Sequence, residues 1–225
     1  VNGLKHRLSN NEMHVVTCIV TRNAAISVKT LHTLLNINKI SGVTNEFVFI
    51  NDDLFERQAL LLKKLKHSDR IVWIDYSIHV DNPSLVKLFE KFIQGYHCLV
   101  LPCVTPGIDW DIFKKKILSG SQEPVSQMGL EFDTKVGKSI GENLNIVTET
   151  DPKCWAIDAK HLFKALRDKK GEGVTVPAKV SDMFKKFMER GVKMYAFTDA
   201  QLTVTYPHEC LGNILESAGV GFAPS

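Results

Sequence analysis

Asp75 stands directly behind the apolar run Arg70-Ile71-Val72-Trp73-Ile74, and polar groups also close two other apolar runs. Arg22-Asn23 follow Val15-Val16-Thr17-Cys18-Ile19-Val20, and Asp52-Asp53 follow Glu46-Phe47-Val48-Phe49-Ile50. A carboxylate behind a buried strand carries its charge to the edge of a sheet, where it needs a partner; a cation is one such partner, and a turn aspartate is the other reading of Asp75. His208, behind Pro207, taken alone reads as a surface or hydrogen-bonded core histidine. As a neutral imidazole it can add a nitrogen to a Mn²⁺ already held by Asp75 oxygen. Asp52 and Asp53 have two open readings, as caps of the following helix and as ligand-binding carboxylates. Trp110 can stack on a sugar or anchor its own helix, and the burial that large aromatics usually contribute favours the anchor. Glu131 and Asp133, in Gly129-Leu130-Glu131-Phe132-Asp133, are either acceptor-binding loop carboxylates or solvated charges. The sequence holds no GxxxxGK[ST], no GxGxxG and no HExxH, which speaks against a P-loop ATPase, a dinucleotide enzyme and a zincin.

The elements that must position these groups alternate between strand and helix. Val15 to Val20 is β-branched and continuously apolar, as a strand buried on both faces should be, and Ile26, Leu31, Leu34 and Leu35 behind it give a helical face. Residues 46–50 predict a second strand, followed by a leucine- and lysine-rich helix. Residues 70–74 predict a third, after which Asn82 as N-cap and Pro83 as first helical residue start another helix. Residues 98–101 predict a fourth strand. From Thr105 to Val147 only one short helix, around Trp110 to Leu118, is readable. Cys154 to Asp158 resembles a strand entering a helix, and Val180 to Met188 predicts a helix that Gly191 ends as C′. Met194 to Phe197 and Leu202 to Tyr206 predict two closing strands. The alternation predicts a mainly parallel sheet flanked by helices, whose ligands bind outside the carboxyl ends of the strands. Arg22, Asp52, Asp53 and Asp75 would then open onto one crevice.

Composition narrows the class further. At 225 residues, with 44% hydrophobic and 24% charged residues, the chain fits one soluble domain, and no apolar run approaches the ~20 residues of a membrane-spanning helix. A start at Val1 without methionine or leader suits one domain taken from a longer protein. The surplus of 28 basic over 25 acidic residues is too small to imply a nucleic-acid partner. The lysines at 63, 64 and 66, at 114 to 116, and at 185 and 186 read as solvated helix faces. Five cysteines without a CxxC pair fit a reducing, cytoplasmic compartment.

These residues resemble the GT-A glycosyltransferases, across most of residues 13 to 95 and 154 to 208. The first strand ends in a short polar turn before a helix, and the second has an acidic end. Arg70-Ile71-Val72-Trp73-Ile74-Asp75-Tyr76-Ser77 is similar to the strand that leads to the family's DxD metal motif, with Ser77 in place of the second aspartate. The resemblance implies a GT-A-like, Rossmann-like mixed sheet in a single domain over residues 1–225. Its nucleotide-binding half would be 13–102 and its acceptor and catalytic half 103–215. It also implies that Asp52 or Asp53 contacts the base or ribose of a nucleoside-diphosphate sugar. Ser181-Asp182-Met183-Phe184 through Gly191, then Met194 to His208, follows the family's order of acidic helix, glycine, two strands and histidine, which makes Asp182 a candidate catalytic base, although no Glu-Asp pair precedes it. The general look is that of a large-DNA-virus protein, which would act in an infected host cell.

The implied reaction transfers a sugar to a hydroxyl of a glycan or protein acceptor. Mn²⁺ or Mg²⁺ at Asp75 and His208 would offset charge on the departing diphosphate, while Asp182, or failing it Glu131 or Asp133, accepts the hydroxyl proton. Two rivals share the layout: a nucleotidyltransferase, and a catalytically inactive sugar-nucleotide-binding or interaction domain that has lost the second DxD aspartate.

Overall fold

Burial on both faces accounts for the continuous apolar run at the start of the sheet. In the computed structural model, which describes residues 12–51, 67–90, 96–105, 107–123, 125–141, 143–167 and 173–205, every residue from Val15 to Thr21 is buried. The elements in chain order are β1 (Met13–Thr21), α1 (Val28–Ile37), β2 (Val43–Asn51), β3 (Arg70–Ile74), β4 (Ile78–Val80), α2 (Asn82–Phe89), β5 (Cys98–Val100) and α3 (Trp110–Leu118). They continue with β6 (Thr134–Gly141), β7 (Leu144–Thr150), β8 (Cys154–Asp158), α4 (Ala159–Leu166), α5 (Val180–Glu189), β9 (Met194–Phe197) and β10 (Leu202–Val204). Eight strands form one sheet in the order β2-β1-β3-β8-β5-β9-β7-β6, and β10 pairs with β4 in a separate antiparallel ribbon. β1, β2, β3, β5 and β9 run in one sense, and β8 lies antiparallel between β3 and β5. The sheet is thus mixed and mostly parallel, with helices on both faces, in the GT-A-like, Rossmann-like manner.

The two-residue alternation of β3 divides the core. Ile71 and Trp73 face Trp155 and Ile157 of β8 under Leu162, Leu166, Phe184 and Phe187 of α4 and α5. Val72 and Ile74 join Val15, Ile19 and Leu99 under Leu34 and Ile37 of α1 and Leu85, Leu88 and Phe89 of α2. At the head of β3, Arg70 is 2% exposed and donates from Nε (3.1 Å) and Nη2 (3.0 Å) to Asp158 Oδ1. Its Nη1 donates to the carbonyls of Leu88 and Glu90, so one guanidinium ties the end of α2 to the sheet. Burial lowers its pKa, and Asp158 works against that shift.

Helix ends follow capping chemistry. Ser27 caps α1 and Asp109 caps α3, each accepting the backbone N–H three residues on. The N-cap of α2 is Asp81, not Asn82: its backbone is extended and its Oδ1 accepts from Ser84 N at 3.1 Å, so Asn82 is already helical. Gly191, with φ +71°, follows α5 as C′ and donates to Met188 O. The last strand closes at Val204, short of the predicted Tyr206. Trp110 does not anchor its helix. It is 67% exposed, because the half-buried side of α3 is Ile112, Phe113 and Lys116.

Candidate functional site

The carboxyl end of β1 turns back on itself at once. Arg22 N donates to Ala25 O and Ala25 N to Arg22 O, both at 3.0 Å, around Asn23 (φ 52°) and Ala24 (φ 55°). Two left-handed central residues make a turn that asparagine tolerates and alanine resists. The parallel register sets Ile19 beside Ile74, so the residues just past the ends of β1 and β3 meet. Arg22 Nη1 donates to Tyr76 Oη at 3.2 Å, and its guanidinium carbon lies 5.9 Å from the ring centroid. Tyr76 O accepts from Ser27 N (2.9 Å) and Thr30 Oγ1 (2.8 Å), which fixes the backbone behind the ring. Arg22, Ile26, Ser27, Tyr76 and Thr205 line a cavity of about 270 Å³ there. Thr205 N donates to Ser77 O at 2.8 Å, and its Oγ1 is buried with no hydrogen-bond partner among the described residues.

Asp75 opens the turn between β3 and β4. It is half-buried, donates its backbone N–H to Lys153 O (3.0 Å) and accepts from Ile78 N (3.1 Å). Lys153 N in turn donates to Asp133 Oδ2 at 3.3 Å, so Asp75 and Asp133 flank one residue. Asp133 is neither a solvated charge nor a free carboxylate. Its Oδ1 accepts from Cys103 N (3.0 Å) and Thr134 Oγ1 (2.8 Å), while its own N–H donates to Cys103 O (2.9 Å). Burial pushes its carboxyl pKa up, and these donors hold it back. Together with Thr105 N on Glu131 O (2.9 Å) and the bridge between Val104 and Phe132, this lashes residues 131–133 to 103–105. Phe132 is left 55% exposed.

Phe132 stands in the wall of a second, larger cleft of about 1060 Å³. Pro102 and Val104 behind β5, Phe197 to Gln201 behind β9, Thr203 of β10, His79 of β4 and Lys116 of α3 also line it. His79 Nδ1 lies 3.1 Å from Lys29 O and 2.9 Å from Thr33 Oγ1. Thr203 of β10 lines the large cavity, and Thr205, just behind β10, lines the small one.

Among the sequence-predicted residues, Arg22 lines the small cavity and Asp75 precedes Tyr76 at the same edge. Asp182 lies in the first turn of α5, about half exposed, 3.8 Å from Lys185, and lines neither cavity. Asp52, Asp53 and His208 lie outside the described residues, as do the helix expected behind Asp53 and Cys210. Among the described residues no three His, Cys, Asp or Glu side chains cluster to hold a metal ion, and no helix is long and apolar enough to cross a membrane. Sequence reasoning missed Tyr76, His79, Asp199 and the exposure of Phe132. For Phe132 a signal existed, an aromatic set between two carboxylates.

No protein-family model and no curated protein matches the chain. Among solved structures it is similar to A197 from STIV, a viral protein, at 13% identity, with 87% of each chain covered and a TM-score of 0.56. It also matches the inositol-1-phosphate CTP transferase from T. maritima at 11% identity, covering 95% of this chain and 97% of that one, with a TM-score of 0.47. GalNAc-T7 with UDP, GalNAc and Mn²⁺ matches at 11% identity, covering 92% of this chain and 46% of that one, with a TM-score of 0.48. At these identities the likeness to A197 speaks for the fold.

Proposed function

We propose that this chain is a glycosyltransferase that moves a sugar from a nucleoside-diphosphate sugar to an acceptor hydroxyl. One observation carries the reading: two cavities of different size border the segment that follows β3, Tyr76 lining the small one and His79 the large one. Arg22 and Tyr76 suit the nucleotide, the guanidinium facing phosphate or ribose oxygens and the phenol ring offering a flat apolar surface. Asp52 or Asp53 would complete the contacts to base and ribose. Asp75 would hold Mn²⁺ or Mg²⁺, with His208 as a second protein ligand; a cation bound through one carboxylate is commonly completed by phosphate oxygens and water. When bound, that ion offsets the charge on the departing diphosphate.

In the transfer, the bond between the sugar's anomeric carbon and the diphosphate oxygen breaks, and the electron pair leaves with the diphosphate. The acceptor oxygen forms the new bond and releases its proton. In an inverting reaction two carboxylates compete for that proton: Asp182, favoured by its order in the chain, and Asp199, which lines the large cleft. A second reading, a sugar-nucleotide-binding domain without activity, is favoured by Ser77, 5% exposed, where a second carboxylate would help to hold the metal.

The test is a panel of nucleoside-diphosphate sugars offered with Mn²⁺, followed by thermal stabilisation and release of nucleoside diphosphate. Stabilisation by at least one donor is expected, strongly reduced in Asp75→Asn and less so in His208→Ala, because the carboxylate brings formal charge and a hard oxygen. Stabilisation without any release would support the inactive domain. Equal binding by wild type and Asp75→Asn in Mn²⁺ would remove the metal site from the proposal.

A further inference from the structure

We infer that the 1060 Å³ cleft takes an uncharged saccharide as the second substrate, seated on Phe132, and turns away a phosphorylated one. The inference rests on the donor reading above. Its first support is shape and rigidity. The cleft reaches the upper end of the usual range for small-molecule sites, about 300–1,000 Å³, more room than a single small acceptor needs. Phe132 is 55% exposed on a segment whose two neighbours are hydrogen-bonded to residues 103 and 105. An exposed aromatic is costly to leave in water, and one held rigid offers a flat apolar surface to the C–H face of a pyranose ring.

The second support is charge. Among the described residues, the cleft is lined by three carboxylates, Asp81, Glu123 and Asp199, against one lysine, Lys116. That lysine is already engaged by Glu123 at 2.6 Å. Asp81 caps α2 through Oδ1, and Asp199 is exposed. A phosphate brought here meets uncompensated negative charge, whereas the hydroxyls of a neutral sugar find acceptors in the carboxylates and both donor and acceptor in the Gln201 amide. The same charge argues against nucleotidyl transfer onto a sugar phosphate, the chemistry that would need cations here.

The experiment observes the intact protein by NMR, or by tryptophan and thermal-shift titration, with free maltose, cellobiose, lactose and chitobiose, and with glucose 1-phosphate. A nucleoside diphosphate with Mn²⁺ is titrated into the same samples to report the donor site. At least one neutral disaccharide should bind, more tightly than glucose 1-phosphate. Phe132→Ala should weaken it about tenfold, the scale of one lost aromatic contact, while Phe132→Tyr retains it and nucleotide binding stays unchanged in both. Because Phe132 is exposed, unchanged melting of the Ala variant separates lost contact from lost fold. The inference is overturned if glucose 1-phosphate binds better than every neutral sugar, if none of the sugars binds, or if Phe132→Ala binds as wild type does. Nucleotide binding that persists in those cases leaves the donor reading standing, and its absence removes that reading first.

Discussion

Asp133, Asp182 and Asp199 are chemically one group in three settings. Asp133 accepts three hydrogen bonds, two of them from backbone N–H groups of Cys103 and Lys153. Its replacement by alanine orphans those donors at a half-buried site, so Asp133→Ala should cost about 2–3 kcal/mol in denaturant unfolding. It should also loosen Phe132, and an unchanged midpoint would contradict the knot. Asp182 pairs with Lys185 and complements the first turn of its helix, while Asp199 is exposed at the cleft. In Asp182→Asn and Asp199→Asn, whichever residue is the base should lose most transfer and retain donor binding, since a base acts on the acceptor. Single-turnover rates beside nucleotide titrations separate the two, and full transfer in both variants would leave no base among them. The place of Asp75 at the end of β3 was legible in the sequence, because four apolar residues run directly into it. Its neighbour Tyr76 was not legible, because its contact with Arg22 spans 54 residues and exists only through the parallel register.

At the scale of elements, periodicity was readable where burial imposes it. β1, β3, α3 and α5 lie where their apolar spacing placed them, whereas β6 was invisible: of its eight residues only Thr134 is buried, so no inward face writes an alternation into the sequence. The amino edge holds a contact that no spacing announces. His97, just before β5, and His161, in α4, stack with ring centroids 3.5 Å apart and planes 9° apart. His97 Nδ1 also accepts from Lys193 N at 3.2 Å. Burial lowers both pKa values below the ordinary 6.5; Lys193 acts the same way on His97 and His97 on His161, Lys160 and Lys164 push both down, and Asp158 opposes. The unfolded chain therefore binds protons more readily between the lowered values and 6.5. The pair's contribution is complete above about pH 6.5 and is lost as pH falls through the lowered folded values. The melting temperature should decline in that window, and His161→Gln should make the decline shallower. Parallel wild-type and variant curves across the window would dismiss the pair as a source of acid sensitivity.

For the whole molecule, the division of labour proposed between residues 13–102 and 103–215 does not coincide with a division of structure. β8 comes from the second stretch, yet it lies between β3 and β5 of the first, pairing Trp155 with Trp73 on one side and with Val100 on the other. All five residues of β3 are buried, and Asp158, the last residue of β8, compensates the buried Arg70. No sequence pattern could have revealed this insertion, because a strand buried on both faces reads the same whichever way it runs and whichever neighbours it takes. Removing residues 103–225 would bare the edges of β3 and β5, uncover Trp73, and leave a guanidinium in an apolar setting without its carboxylate. A chain of residues 13–102 should therefore fail to fold alone and tend to aggregate. Adding the remaining residues in trans should restore native far-UV circular dichroism and amide dispersion, because the missing strand supplies both the pairing and the counter-charge. A well-dispersed, cooperatively melting spectrum from 13–102 by itself would show that the first stretch closes its own sheet, and the shared strand would then be an addition to a complete folding unit rather than its centre.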